Sequence, residues 1–177
     1  MNADAGARIL ARADELAQFT EDPPRVTRTF LSPQHRAAGE KILGWMREAG
    51  MQAGFDALGN VIGRYEGAAP GAPALLTGSH MDSVRNAGRY DGLLGILCPV
   101  ECVWRLNESG TRLPSGAGHD AMAIAPIADI AMLFVRCGNG GISHHPDETL
   151  AAEDAGLAVD VMHDFMLNFR PTPAKPR

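Results

Sequence analysis

The stretch from Leu75 to Gly95, LLTGSHMDSVRNAGRYDGLLG, constrains the fold more than any other part of the chain. A short uncharged apolar run, Ala74-Leu75-Leu76, passes into Thr77-Gly78-Ser79, the pattern of a buried strand reaching its C-terminal edge. His80 and Asp82 follow at once, then a glycine-bearing loop, then Asp91-Gly92 ahead of an apolar helical pattern. Ligands bind at strand ends in open α/β sheets. A histidine and two carboxylates delivered to that edge therefore suggest a metal site or an acid/base site. In the plainer reading His80 caps the strand and the aspartates cap turns. Gly78, Gly88, Gly92 and Gly95 let backbone crowd around the polar cluster, which favours the first reading for the string as a whole.

The rest of the composition narrows the classes. With 177 residues, 45% of them apolar, the chain has one domain's worth of core. Sixteen basic against 21 acidic residues leave a net charge of −5, so no nucleic-acid partner is expected. No apolar run reaches the roughly 18 residues of a membrane span, and no membrane partner is expected. The N-terminus MNADAGARILARADE lacks a basic segment followed by a hydrophobic one, unlike a secretory signal. Cys98, Cys102 and Cys137 are an odd set without a CxxC, which reads as buried thiols in a reducing cytoplasm.

Read in order, residues 8–19 repeat apolar positions at helical spacing, and Pro23-Pro24 lies beyond their end. Ser32-Pro33 supplies an N-cap and a first-turn proline for a helix over 34–49, stopped by Gly50, with His35 expected at the surface. Residues 51–56 and 60–65 read as two strands joined at Ala57-Leu58-Gly59. A strand at 74–77 leads to the polar cluster, and a helix over 93–107 follows, with Pro99 early in it and Glu101 expected to face solvent. After a turn at 113–116, a short helix at His119-Asp120 and a strand over 131–135 come the loop Gly138–Gly141 and Ile142-Ser143-His144-His145. Asp147 and Glu148 then introduce a closing helix over 149–169. The interleaving predicts an α/β fold, a mixed β-sheet sandwiched by helices. One domain is expected, with an N-terminal part over 1–113, a C-terminal part over 114–170 and a disordered tail over 171–177.

His80, Asp91 and His144 have the right donor types for zinc or a similar cation and stand on loops after strands. One carboxylate can bind two cations, which suits Asp91 as a bridge. Asp82, two residues after His80, suits the role of orienting that imidazole. His119-Asp120, after Gly116-Ala117-Gly118, could bind an anionic substrate group at a helix start or simply cap the helix. His145 and His163 read as bystanders.

The string GSHMDSVRNAGRYDGLLG resembles the metal-binding signature of the zinc-dependent M20-type amidohydrolases, in the branch of allantoate amidohydrolase and the N-carbamoyl-L-amino-acid hydrolases. TRTFLSPQHRAAGEKILGWMREAGM with DALGNVIGRYEG resembles the segment preceding that signature, and SGAGHDAM and GGISHHPDE resemble two late ones. The resemblance implies a zinc-exopeptidase-like fold and hydrolysis of C–N bonds in small ureido or N-carbamoyl substrates at a two-metal centre of zinc or manganese. It implies His80 on one metal, Asp91 bridging, His144 on the other, Asp82 orienting His80, and His119 and Asp120 beside the substrate.

One departure cuts against full activity. The family carries an adjacent glutamate pair, one the general base and one a metal ligand, and later a lid domain with further contacts. Here LNESGTRLP runs straight into SGAGHDAM, and no Glu-Glu pair occurs in the 177 residues. The resemblance therefore implies an internally truncated catalytic domain that binds one metal or none and has impaired or no turnover. Glu108 and Glu148 are poor substitutes for the base. A non-catalytic binding domain and a subunit completed in trans are the competing readings, and a sheet edge opened by the lost strand would favour self-association.

Overall fold

The structure is a computed structural model that describes residues 2–70, 75–111 and 133–170. Helix α1 spans Asn2–Ala17 and presents Ala5, Ile9, Ala13 and Leu16 to the core at the spacing of a single helical stripe. Helix α2, Pro33–Glu48, begins as its sequence requires: the Ser32 hydroxyl accepts the His35 amide and Pro33 occupies the first turn. Gly50, at φ +89°, carries the chain out of it. Strands β1 (Gln52–Phe55) and β2 (Val61–Arg64) pair antiparallel, Phe55 opposite Val61, around a turn in which the Asp56 carboxylate accepts the amides of Leu58 and Asn60.

Helix α3, Leu94–Glu108, is apolar nearly all round. Leu97, Cys98, Val100, Cys102, Val103 and Leu106 are all buried, as befits a helix packed on several sides. Burial pushes the Cys98 thiol up to about 12 and raises that of Cys102 as well, so both are inert core residues. The last helix, α4, runs Ala152–Asn168 and packs on α1 and α3 through Ala155, Ala158, Val159 and Met166. The result is a mixed α/β domain in which helices flank a small antiparallel sheet.

Four expectations are corrected. The mixed sheet is reduced, among the described residues, to the β1–β2 pair. Residues 75–77 and 133–135 carry no strand, because no neighbouring strand among the described residues supplies a ladder for them. His35 is buried, 4% exposed, with its ring edge-on to Phe30. Burial lowers its pKa, Asp82 partly offsets that, and the Arg28 charge adds to the lowering.

Glu101 is wholly buried rather than facing solvent. Its carboxylate accepts from both Nε and Nη2 of Arg8, and Arg12 and Arg105 stand 3.8 and 3.9 Å away. A helical position in apolar company could take a carboxylate only because α1 brings guanidinium groups to it. The closing helix begins at Ala152, three residues later than expected, its acidic first turn is made by Glu153 and Asp154, and Glu148 is instead buried in the preceding loop. The short helix at 119, the turn at 113–116 and the tail from 171 lie outside the described residues.

Candidate metal centre

The loop after residue 79 is held from below by a strap formed from residues 26–28. Val26 accepts the Ala87 amide, Thr27 Oγ1 accepts that of Asn86, and Arg28 and Ser83 exchange bonds of 2.8 and 2.9 Å. Arg28 is itself 1% exposed, and no carboxylate hydrogen-bonds its guanidinium among the described residues. Instead its Nε donates to the Met81 carbonyl at 2.6 Å and its Nη1 to the carbonyls of Leu16 and Phe19 at 2.8 and 3.0 Å. Three carbonyls thus share one buried cation, which costs several kcal/mol to dehydrate, and that cost requires the bonds to be good. Arg28 ties the end of α1 to the peptide between His80 and Asp82. Nothing in the local pattern of VTRTF marked Arg28 as buried, and only the partners around it reveal the role.

On this base stand the signature residues. His80 Nδ1 lies 3.0 Å from the Asp82 carbonyl oxygen and 3.4 Å from the Asp82 carboxylate. A carbonyl only accepts, so the shorter contact requires the proton on Nδ1 and leaves the Nε2 lone pair free in the neutral ring. That Nε2 is 3.8 Å from Asp91 Oδ1. From the other end of the chain, His144 Nε2 lies 3.4 Å from Asp91 Oδ2. Asp91 therefore has one imidazole at each oxygen. It is the most sheltered of the three, at 14% side-chain exposure against 51% for His80 and 61% for His144.

Gly92 makes the arrangement possible: at φ +69°, a Cβ on it would stand 2.4 Å from the His80 carbonyl oxygen and 2.6 Å from the imidazole. His144 also adopts a left-handed backbone, φ +58°, uncommon for a residue other than glycine. Residues 138–149 around it are closed by short bonds, Asn139 Nδ2 to the Asp147 carbonyl, the Glu148 amide to that of His145, and the Gly138 amide to that of Thr149. Glu148 Oε2 accepts the amides of Tyr90 and Asp91 at 3.1 and 3.2 Å. His145 pairs locally, its Nδ1 accepting the Asp147 amide, and His163 sits half-buried on α4. His119 and Asp120 lie outside the described residues.

Two donors about 2.1 Å from one tetrahedral cation sit roughly 3.4 Å apart. The separations at Asp91, 3.8 Å to His80 and 3.4 Å to His144, are edges of that size. On distance alone, each imidazole–carboxylate gap could admit a cation. The donor set falls short in number: among the described residues no three His, Cys, Asp or Glu side chains converge on one point that could hold a metal ion. Each cation would have two protein donors, one fewer than the usual catalytic set.

The chain is similar to known proteins over part of their length. An N-carbamoyl-L-amino-acid amidohydrolase of Paenarthrobacter aurescens is 44% identical over 103 residues, covering 58% of this chain and 25% of that enzyme. An allantoate deiminase of Arabidopsis thaliana is 43% identical over an alignment of 186 residues, covering 93% of this chain and 34% of the relative. Among solved structures, a hydantoinase/carbamoylase family amidase from Burkholderia ambifaria superposes with a TM-score of 0.59 at 34% identity, covering 63% of this chain and 28% of that one. These likenesses point to the M20-type hydantoinase/carbamoylase family. No family model matches the chain. The chain spans 25% of the length of the first of these curated relatives and 34% of the second. Among the described residues no helix is long and apolar enough to cross a membrane.

Proposed function

We propose that this chain carries the ligand-bearing part of the catalytic domain of a divalent-metal amidohydrolase acting on ureido or N-carbamoyl compounds, the substrate class named in its relatives. One observation carries the reading: the Asp91 carboxylate stands between two imidazoles, His80 of its own loop and His144 of a loop far along the chain, one at each oxygen. In the overall reaction water adds its oxygen to the carbon of the scissile C–N bond, and the nitrogen leaves with a proton. Zinc or manganese, when bound, would supply the Lewis acidity for that attack.

The residues' own tasks are separable. Asp91 would offer one oxygen to each cation, His80 and His144 would each offer Nε2, and Asp82 would hold the His80 ring through Nδ1. His119 and Asp120 are proposed to face the substrate. The chain has no Glu-Glu pair to supply a general base and a further ligand. Glu148 cannot substitute readily, since its Oε2 is occupied by two backbone amides. Loss of a general base alone lowers the rate ~10²–10⁴-fold. Turnover by the isolated chain is therefore weak or absent, and full activity would need the base supplied by another polypeptide.

The test is zinc stoichiometry of the monodisperse chain, measured alongside hydrolysis of allantoate and of an N-carbamoyl-L-amino acid. The expected result is about one to two zinc ions per chain, lost in Asp91→Ala and reduced in His80→Ala and His144→Ala, with hydrolysis near the blank. Zinc bound equally well by Asp91→Ala, or by none of the proteins, would overturn the proposal.

A further inference from the structure

The two halves of the site are far apart in sequence, and one side chain joins them. Glu148 is 8% exposed, and its Oε2 accepts the amides of Tyr90 and Asp91 across sequence separations of 58 and 57 residues. No cation pairs with this carboxylate among the hydrogen bonds and ion pairs of the described residues. Its charge is met by the dipoles of the turn that presents Asp91. Buried carboxylates are costly unless so bonded, which makes the contact specific as well as favourable. The fit is close: a Cβ added to Gly88 would stand 2.1 Å from Glu148 Oε2 and 2.7 Å from its Cβ.

The other end of the contact is equally constrained. Glu148 closes a turn onto the His145 carbonyl, and its neighbour Thr149 accepts the Gly138 amide. The loop carrying His144 therefore moves with Glu148. We infer that Glu148 is the positioning residue of the site: by gripping the Asp91 backbone from the His144 loop, it sets the separation between the Asp91 carboxylate and the His144 imidazole. Glu148 touches neither imidazole through any hydrogen bond or ion pair given by the structure, so it acts through the backbone of Asp91. The inference rests on the metal-centre reading above for its consequence, though not for its geometry.

The experiment separates the two. In the full chain, amide hydrogen exchange is followed at Tyr90 and Asp91, with α2 amides as an internal standard, and zinc affinity is measured on the same samples. Glu148→Ala is expected to speed exchange at those two amides roughly 10- to 100-fold, the equivalent of losing bonds to a charged acceptor. Zinc affinity should fall about 10- to 100-fold, the usual cost of losing a group that orients a ligand. Glu148→Gln keeps an acceptor of the same reach and should restore both to within about threefold of wild type. If Glu148→Ala does not fold, Glu148→Asp supplies the test, because it keeps the charge and shortens the reach. Unchanged exchange at both amides in a folded Ala or Asp variant would overturn the inference, as would failure of folded Glu148→Gln to restore them. Faster exchange together with a wild type that binds no zinc would sink the metal reading and leave Glu148 as the tie between the loops.

Discussion

Glu101 and Asp91 are both sheltered carboxylates, and their surroundings are opposite in kind. Glu101, on α3, is wholly buried and saturated with cations: Arg8 donates two bonds to it and Arg12 and Arg105 lie just beyond. The network continues outward, since Arg105 also bonds Asp160 on α4 at 2.8 Å. Its bond to Glu101 raises the Arg8 guanidinium, whereas burial lowers that of Arg12. Asp91 keeps 14% of its side chain exposed, and its neighbours are two imidazoles at 3.4 and 3.8 Å, beyond hydrogen-bond length. A carboxylate that is already neutralised holds a fold together. Asp91, with imidazoles beside it rather than guanidinium groups bonded to it, is left without that neutralisation, as the proposed role requires.

The contrast can be broken by mutation. The largest effect is expected for Glu101→Ala, which leaves three guanidinium groups around an apolar gap. Removing one partner of a buried ion pair typically costs about 3–5 kcal/mol, and the partial exposure of Arg8 should bring this case to the lower end. Urea unfolding monitored by circular dichroism measures it, and a loss below about 1 kcal/mol would show that the helices do not depend on the network.

The next effect is one of pH. Burial holds the His35 pKa below its ordinary value, so the unfolded chain binds the proton more readily than the folded one. The stability contributed by neutral His35 is complete above about pH 6.5 and is lost as pH falls from there through the lowered folded value. The steepest slope is about 1.4 kcal/mol per pH unit for one proton. His163, whose pKa burial also lowers, adds in the same direction. Unfolding midpoints at pH 7.5 and 5.5 should show less acid loss in His35→Gln than in wild type, and equal losses would remove His35 from the account.

The smallest effect is expected at the site itself. Asp91→Asn, at a partly exposed position without a direct hydrogen bond from its side chain to either imidazole, should change stability by less than about 1 kcal/mol. If it destabilised the chain as much as Glu101→Ala, the distinction between the two carboxylates would fail.

Much of this molecule was legible without coordinates. The Ser32-Pro33 start of α2, its stop at Gly50 and the hairpin of β1 and β2 rest on residues within a few positions of one another, so local pattern determines them. The burial of Cys98 and Cys102 followed from apolar neighbours at helical spacing. The residue types and spacing of the string from His80 to Gly92 marked the likeness to metal hydrolases for the same reason.

Tertiary structure decided the rest. Whether Glu101 and Arg28 face water or the core depends on partners 93 and 53 positions away, Arg8 and the Met81 carbonyl. No local periodicity contains that information. The approach of His144 to Asp91, and the Glu148 bonds beneath it, likewise form only when a loop near one end of the chain closes on a loop near its middle. A polar group can be buried only where its bonds are satisfied. For these residues the satisfying groups come from remote parts of the chain.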